Sequence, residues 1–160
     1  MKYDFKQDLV EGQKVEREVA EKLSQRDGFS EVEIMEGNVK EFDIKANYKG
    51  RVFTFEVKYD QMASKTGNIA VEYETRQCAS GLSVTKADYW VYKINDSHYV
   101  LKTEKLKRKL YQQKRFKRKV IGGDAGSNTK MFLVEMERFI SWCTKSVSYT
   151  HLRAHETVMN

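Results

Sequence analysis

Lys40-Glu-Phe-Asp-Ile-Lys-Ala-Asn-Tyr-Lys-Gly-Arg-Val-Phe-Thr-Phe-Glu-Val-Lys-Tyr-Asp60 is the stretch whose reading decides the fold. Phe42, Ile44, Ala46 and Tyr48 alternate with Asp43, Lys45 and Asn47. Beyond Lys49-Gly50, Phe53, Phe55, Val57 and Tyr59 alternate with Val52, Thr54, Glu56 and Lys58. A two-residue period rich in aromatic and β-branched side chains predicts two half-buried strands. If Lys49 and Gly50 are the central turn residues, glycine supplies the positive φ that such turns need. The register then follows, and Asp43 lies opposite Glu56. Directly opposed residues have Cβ atoms about 4.5–5.5 Å apart, so two carboxylates there repel unless something positive sits between them. Lys58 projects from the same side as Glu56, two residues on. The pattern predicts a divalent-metal site with an ammonium beside it.

Upstream, residues 8–27 read as a helix. Asp8 is placed to cap it, with Glu11 at capping-box spacing, and Gly28 to end it in a left-handed conformation. Leu9, Gly12, Val15, Val19, Ala20 and Leu23 form one stripe on its wheel. Glu16 falls roughly 30° from the stripe's centre and Glu18 on the far side, at ~100° per residue. A buried acid needs a partner. Glu16 therefore either sits at the stripe's edge with a surface cation or points towards the carboxylate pair.

The remaining chain reads as further strands with two helices. Ser30–Glu36 is a first strand, turned by Gly37-Asn38 into the hairpin. Residues 60–68 read as a loop and Ile69–Thr75 as a strand. Glu72 and Glu74 on that strand either add acid to the site or form a solvated face. Cys78–Leu82 is a turn-like junction. Asp88–Ile94 is strongly β-prone and reads as a central strand, with Tyr99–Leu101 returning beside it. Thr103–Val120 reads as a basic helix, Gly122–Ser127 as a linker, Lys130–Glu135 as a last strand and Arg138–Thr144 as a terminal helix.

A chain of 160 residues suffices for one domain with a proper core. No apolar run is long enough for a membrane span, and the first residues show no secretory pattern. Cys78 and Cys143 have no zinc spacing and are expected as reduced thiols, with a cytoplasmic setting. The net charge of +6 has one source: residues 102–119 carry ten Lys/Arg and one acid, which leaves 19 basic against 22 acidic residues elsewhere. Such a cluster is either a phosphate-binding footprint or a solvated helix face. As a footprint it nominates Lys107, Arg108, Lys114, Arg115, Lys117 and Arg118 for nucleic-acid contact. Residues 147–160 break the pattern and resemble translated sequencing-adaptor sequence. They are set apart from a domain over 1–146 as a non-native or disordered tail. His151 and His155 within it have helical i, i+4 spacing, a weak metal-pair signal.

Glu16, Asp43, Glu56 and Lys58 converge in this reading. Hard oxygen ligands suit Mg²⁺ or Mn²⁺, and the Val57 carbonyl is a further candidate ligand. The chemistry such a set suits is phosphodiester hydrolysis.

Asp43 followed by Glu56-Val57-Lys58 resembles the P-D…(D/E)-x-K signature of the PD-(D/E)XK nuclease superfamily, with Phe42 where that pattern has proline. Gly12-Gln-Lys-Val-Glu16-Arg17-Glu18 is similar to the first helix of the archaeal-type Holliday-junction resolvases, whose first Glu of an E-R-E run maps to Glu16. The resemblance covers residues 8–94. It implies an α/β, restriction-endonuclease-like fold, with a mixed β-sheet flanked by helices. It implies Mg²⁺-dependent DNA cleavage in recombination, repair or restriction, with Glu16, Asp43, Glu56 and Lys58 catalytic and the metal on Asp43, Glu56, Val57 and Glu16. A homodimer is expected with it, because junction resolution takes two active sites. Two other readings stand beside it: a catalytically inactive nuclease-fold DNA-binding module, and a protein whose basic helix docks an acidic partner.

Overall fold

The computed structural model describes residues 5–37, 41–112, 118–123 and 126–146. The chain opens with α1 (Phe5–Ser24), followed by β1 (Phe29–Ile34) and the hairpin β2 (Ile44–Tyr48) and β3 (Arg51–Tyr59). The hairpin takes the register its turn dictates, with Ile44 opposite Phe55 and Tyr48 opposite Arg51. Lys49 (φ 48°) and Gly50 (φ 86°) are both left-handed, as a two-residue turn with the strands' own twist requires. Asn47 Oδ1 accepts the Gly50 N–H at 2.8 Å.

Two further strands, β6 (Tyr89–Ile94) and β7 (Ser97–Lys102), extend the sheet, and β10 (Thr144–Ser146) closes it, in the order β1-β2-β3-β6-β7-β10. β6 runs parallel to β3, with Glu56 beside Trp90 and Lys58 beside Tyr92. The other pairings are antiparallel, so the sheet is mixed. A parallel pair needs a long crossover, and residues 60–88 supply it. They hold α2 (Ala63–Thr66), β4 (Asn68–Thr75), the two-residue β5 (Cys78–Ala79) and a 3₁₀ turn at Gly81–Ser83. β8 (Arg118–Gly122) and β9 (Thr129–Glu135) complete a second, antiparallel sheet, in the order β5-β4-β9-β8.

Both faces of the main sheet are covered, which is why β6 reads as a near-continuous apolar run. On one face Val15, Val19, Ala20 and Leu23 of α1 pack with Ile44, Ala46, Phe53, Phe55 and Val57. On the other, Trp90, Tyr92 and Ile94 pack with Ile69, Val71 and Phe132 of the second sheet. Leu106 and Leu110 of α3 (Thr103–Gln112) and Phe139 of α4 (Met136–Trp142) join that second cluster. Burying each large side chain is worth about 1.5–3 kcal/mol, so α1 holds the hairpin on one face while the second layer holds β6 and β7 from the other.

Several expectations are corrected. α1 begins at Phe5, so Asp8 lies in its first turn and is not its cap. Leu9 is 52% exposed, so the buried stripe starts at Val15. The 60–68 loop contains α2, which ends at Gly67 in a left-handed conformation. The basic helix is described as Thr103–Gln112, and Arg118–Gly122 is a strand and not helix. There the β-branched Val120 and Ile121 lie against β9, whose edge supplies the hydrogen bonds a helix would have made. Gly122–Ser127 is thus not a linker: it joins the antiparallel pair β8 and β9. Lys114, Arg115, Lys117 and the 147–160 tail, including His151 and His155, lie outside the described residues.

Candidate active site

β2 starts at Ile44, one residue past Asp43, so β3 runs on without that neighbour. Asp43 still ties itself to the strand. Its N–H donates to the Phe55 carbonyl at 2.9 Å, and its Oδ2 accepts the Val57 N–H at 2.8 Å. The N–H and C=O of one extended residue point to the same strand edge. The Val57 carbonyl is therefore directed to the Asp43 side, where no strand among the described residues pairs with it. Glu56, 8% exposed, turns to the opposite face of the sheet from Val57. There Lys58 Nζ meets Glu56 Oε1 at 3.0 Å and lies 5.5 Å from the Trp90 ring centroid. Glu16 of α1 is half-buried and feels the charges of Glu56 and Lys58.

The electrostatics mark these side chains as neighbours. Burial, then the charge of Glu56, pushes the Asp43 carboxyl up to about 7. Burial and Glu56 also raise Glu16 above the ordinary carboxylate range, against the pull of Lys58 and Arg17. Burial alone would lower the Lys58 ammonium, but Glu56 and Asp43 outweigh it and hold it above its usual value. The cluster is short of positive charge.

That shortage is the test of fit for a divalent cation. The donors are hard oxygens, one of them a carbonyl freed by the end of a strand, and the group fits Mg²⁺ or Mn²⁺ in chemistry. Among the described residues, however, no group of three or more His, Cys, Asp or Glu side chains is already placed to hold a metal ion. Lys58 is on Glu56 instead.

A cleft of about 820 Å³ opens beside the group, between the first half of α1, the end of β3 and the second sheet. Val57, Lys58, Asp60, Glu72, Met131 and Leu133 line it, whereas Asp43, Glu56 and Glu16 do not. Glu72 thus belongs to the wall of the site, with Oε1 held by Ser80 Oγ at 2.6 Å. Glu74 is directed elsewhere and pairs with Lys130 at 2.6 Å. Asp60 braces the cleft's rim by accepting the N–H groups of Met62 and Ala70.

Lys107 and Arg108, the nominated basic residues whose side chains are described, do not line the cleft beside the carboxylates. Lys107 lines a second cleft, of about 540 Å³, with Arg51, Lys86 and Lys102, and Arg108 is exposed on α3. Arg51 and Lys58 stand at opposite ends of β3, roughly 23 Å apart at the rise of a strand.

Sequence reasoning missed one cluster. Glu18, on the flank of α1 away from Glu16, has partners on the sheet. It pairs with Lys93 of β6 at 2.9 Å and stands 3.6 Å from His98 Nε2 of β7, while Lys22 Nζ lies 2.9 Å from His98 Nδ1. The spacing of Glu18 and Lys22, i and i+4 on one flank, was the signal available.

No family model and no curated protein matches the chain. Among solved structures it is similar to the bacterial homing endonuclease I-Ssp6803I. The likeness spans 99% of this chain and 98% of that one, at 17% identity and a TM-score of 0.55. At that identity the likeness is one of fold: a mixed sheet flanked by helices, as the sequence led us to expect.

Proposed function

We propose that the protein is a divalent-metal-dependent DNA endonuclease of the PD-(D/E)XK kind, in the class of junction-resolving, repair or restriction nucleases. The observation that carries the proposal is the closing of Asp43 onto Val57 beside the Glu56–Lys58 pair, at the point where β3 outruns its neighbour. The fold shared with a homing endonuclease supports it.

Asp43, Glu56 and the Val57 carbonyl would hold Mg²⁺ or Mn²⁺, with Glu16 as a further ligand. When bound, the ion would supply Lewis acidity and an activated water for an attack on phosphorus. Lys58, kept charged by its acidic neighbours, stabilises negative charge on the phosphate and is not the proton acceptor. Glu16 helps to hold the ion and orients its water for attack. Lys107 and Arg108, remote from these groups, hold backbone phosphates and do not take part in the cut. The basic residues Lys114, Arg115, Lys117 and Arg118 extend that grip. A homodimer is proposed on the resemblance to resolvases.

The deciding experiment is cleavage of labelled duplex, single-stranded, flap and four-way-junction DNA in Mg²⁺, Mn²⁺ or EDTA, with Asp43→Asn and Lys58→Ala as controls. Metal-dependent cutting lost in both variants is the expected result; equal cutting by both variants and the parent removes the site assignment. The alternative, a DNA-binding module without turnover, draws on the Glu56–Lys58 pair, which stands where a metal would have to compete. DNA binding with no cutting in either metal selects it.

A further inference from the structure

α1 is unevenly seated. Val15, Val19 and Leu23 are almost wholly buried, but Leu9 and Val10 are more than half exposed, and a side chain at Gly12 would meet nothing within 4 Å. Among the described side chains, the apolar grip on the helix therefore begins at Val15, next to Glu16. A narrow stripe of aliphatic side chains on a sheet resists lifting better than it resists rolling. At a radius of ~5–6 Å, a roll of about 20° carries a side-chain tip roughly 2 Å. Misplacing a reacting group by even 1 Å costs a rate of order 10²-fold.

Glu18 leaves the helix about 200° round from Glu16, on the opposite flank of the buried stripe. Both of its oxygens are held by Lys93 Nζ, at 3.2 and 2.9 Å, and Lys93 is itself set against the Tyr59 ring. Lys22, one turn on, ends on His98 Nδ1. An ammonium can only donate, so Nδ1 accepts and Nε2 carries the ring proton. Nε2 is buried and has no hydrogen-bond partner among the described residues; Glu18 Oε2, at 3.6 Å, lies beyond hydrogen-bond range. Two side chains of α1 are thereby anchored to the two strands beyond β3, on the flank away from Glu16.

We propose that Glu18 and Lys93 are positioning residues, a pin that fixes the roll of α1 and so the aim of Glu16. The inference rests on the nuclease reading for its consequence, but the pin itself is a property of the fold. Glu18 does not touch the reacting groups. It acts through the helix, with Lys22 and His98 as a second anchor one turn away.

The test compares Glu18→Gln, Lys93→Met and the exchanged pair Glu18→Lys/Lys93→Glu, in the parent and in Glu16→Gln. Single-turnover cutting at saturating protein should fall tenfold or more in each single variant, with DNA affinity within twofold. The exchanged pair should recover much of the rate. In the Glu16→Gln background Lys93→Met should cost nothing further, which a loss of general stability would not produce. An equal loss in both backgrounds, or no loss in either, overturns the pin. If the parent does not cut DNA at all, the nuclease reading fails, and the pin is read without activity. Methyl NOEs from Val15, Val19 and Leu23 to Ile44 and Val57 should then shift in Lys93→Met and return in the exchanged pair. An unchanged NOE pattern in Lys93→Met overturns it.

Discussion

The Val57 N–H donates to Asp43 Oδ2 at 2.8 Å, across the gap left where β2 stops. A side chain does here what a strand backbone does one pair earlier. The hydrogen bond favours the charged carboxylate, yet burial and Glu56 override it and push Asp43 up to about 7.

Asp43→Asn should therefore stabilise the metal-free protein while it abolishes cutting. An Asp in an unfolded chain titrates near 3.8 and this one near 7 when folded, so between those values the folded state binds more protons. Its stability then falls as pH rises through the window, by a few kcal/mol at about 1.4 kcal/mol per unit. Asparagine keeps an acceptor for Val57 and carries no charge. Melting in EDTA at pH 5 and pH 8 checks this: the parent should lose several degrees more than Asp43→Asn over that interval. Parallel losses contradict it.

Lys58→Ala should both silence the site and weaken the fold. It leaves Glu56, with 11% of its side chain exposed, without its cation. Breaking a fully buried pair costs about 3–5 kcal/mol. Because 39% of the Lys58 side chain is exposed, a loss of about 2 kcal/mol is expected from urea unfolding at pH 7. Lys58→Arg should recover most of the stability and less of the rate, since a planar guanidinium does not place charge as a compact ammonium does.

The hairpin offers a change with no effect on chemistry. Lys49 sits at φ 48°, a conformation that costs most side chains about 1 kcal/mol and suits asparagine. Lys49→Asn should raise stability by about 0.5 kcal/mol with unchanged cutting. Gly50→Ala, at φ 86°, should lower it by about 1 kcal/mol. A large loss of activity in Lys49→Asn would mean that the turn itself meets the substrate.

Much of this was legible in the residues because the information is local. Alternation fixed the faces of β2 and β3, and Lys49-Gly50 fixed their register, so Asp43, Glu56 and Lys58 could be placed together from the sequence. The helix wheel set Glu16 at the edge of the buried stripe, and it is half-buried there. The second sheet was not legible, because β4 and β9 pair across more than half a hundred residues and neither strand names its partner. The end of the basic helix was hidden too: Val120 and Ile121 are apolar in either conformation, and only the edge of β9 decides for strand. The pairing of Glu18 was not legible because its partners, Lys93 and His98, come from strands that the helix wheel does not contain.

Neutralising Lys107 and Arg108 to Gln should weaken duplex binding at low salt. The log–log salt dependence should flatten by about 0.9 for each phosphate that is no longer neutralised. Turnover at saturation should stay as in the parent, because Lys107 lines a different cleft from Lys58 and Arg108 lines neither. Affinity measured against potassium chloride concentration, in EDTA so that cutting does not intervene, checks this. An unchanged slope removes both residues from the DNA-binding surface.

β4 carries the wall of the cleft, and its partner β9 is synthesised about sixty residues after it. As the chain leaves the ribosome, the hairpin with Asp43, Glu56 and Lys58 is complete long before Met131 and Leu133 can close the groove beside it. A nascent or prematurely ended product would thus carry the acidic group with no floor on which to seat a nucleic-acid strand. Under the nuclease reading proposed above, competence to engage DNA would come only once nearly the whole domain has been made.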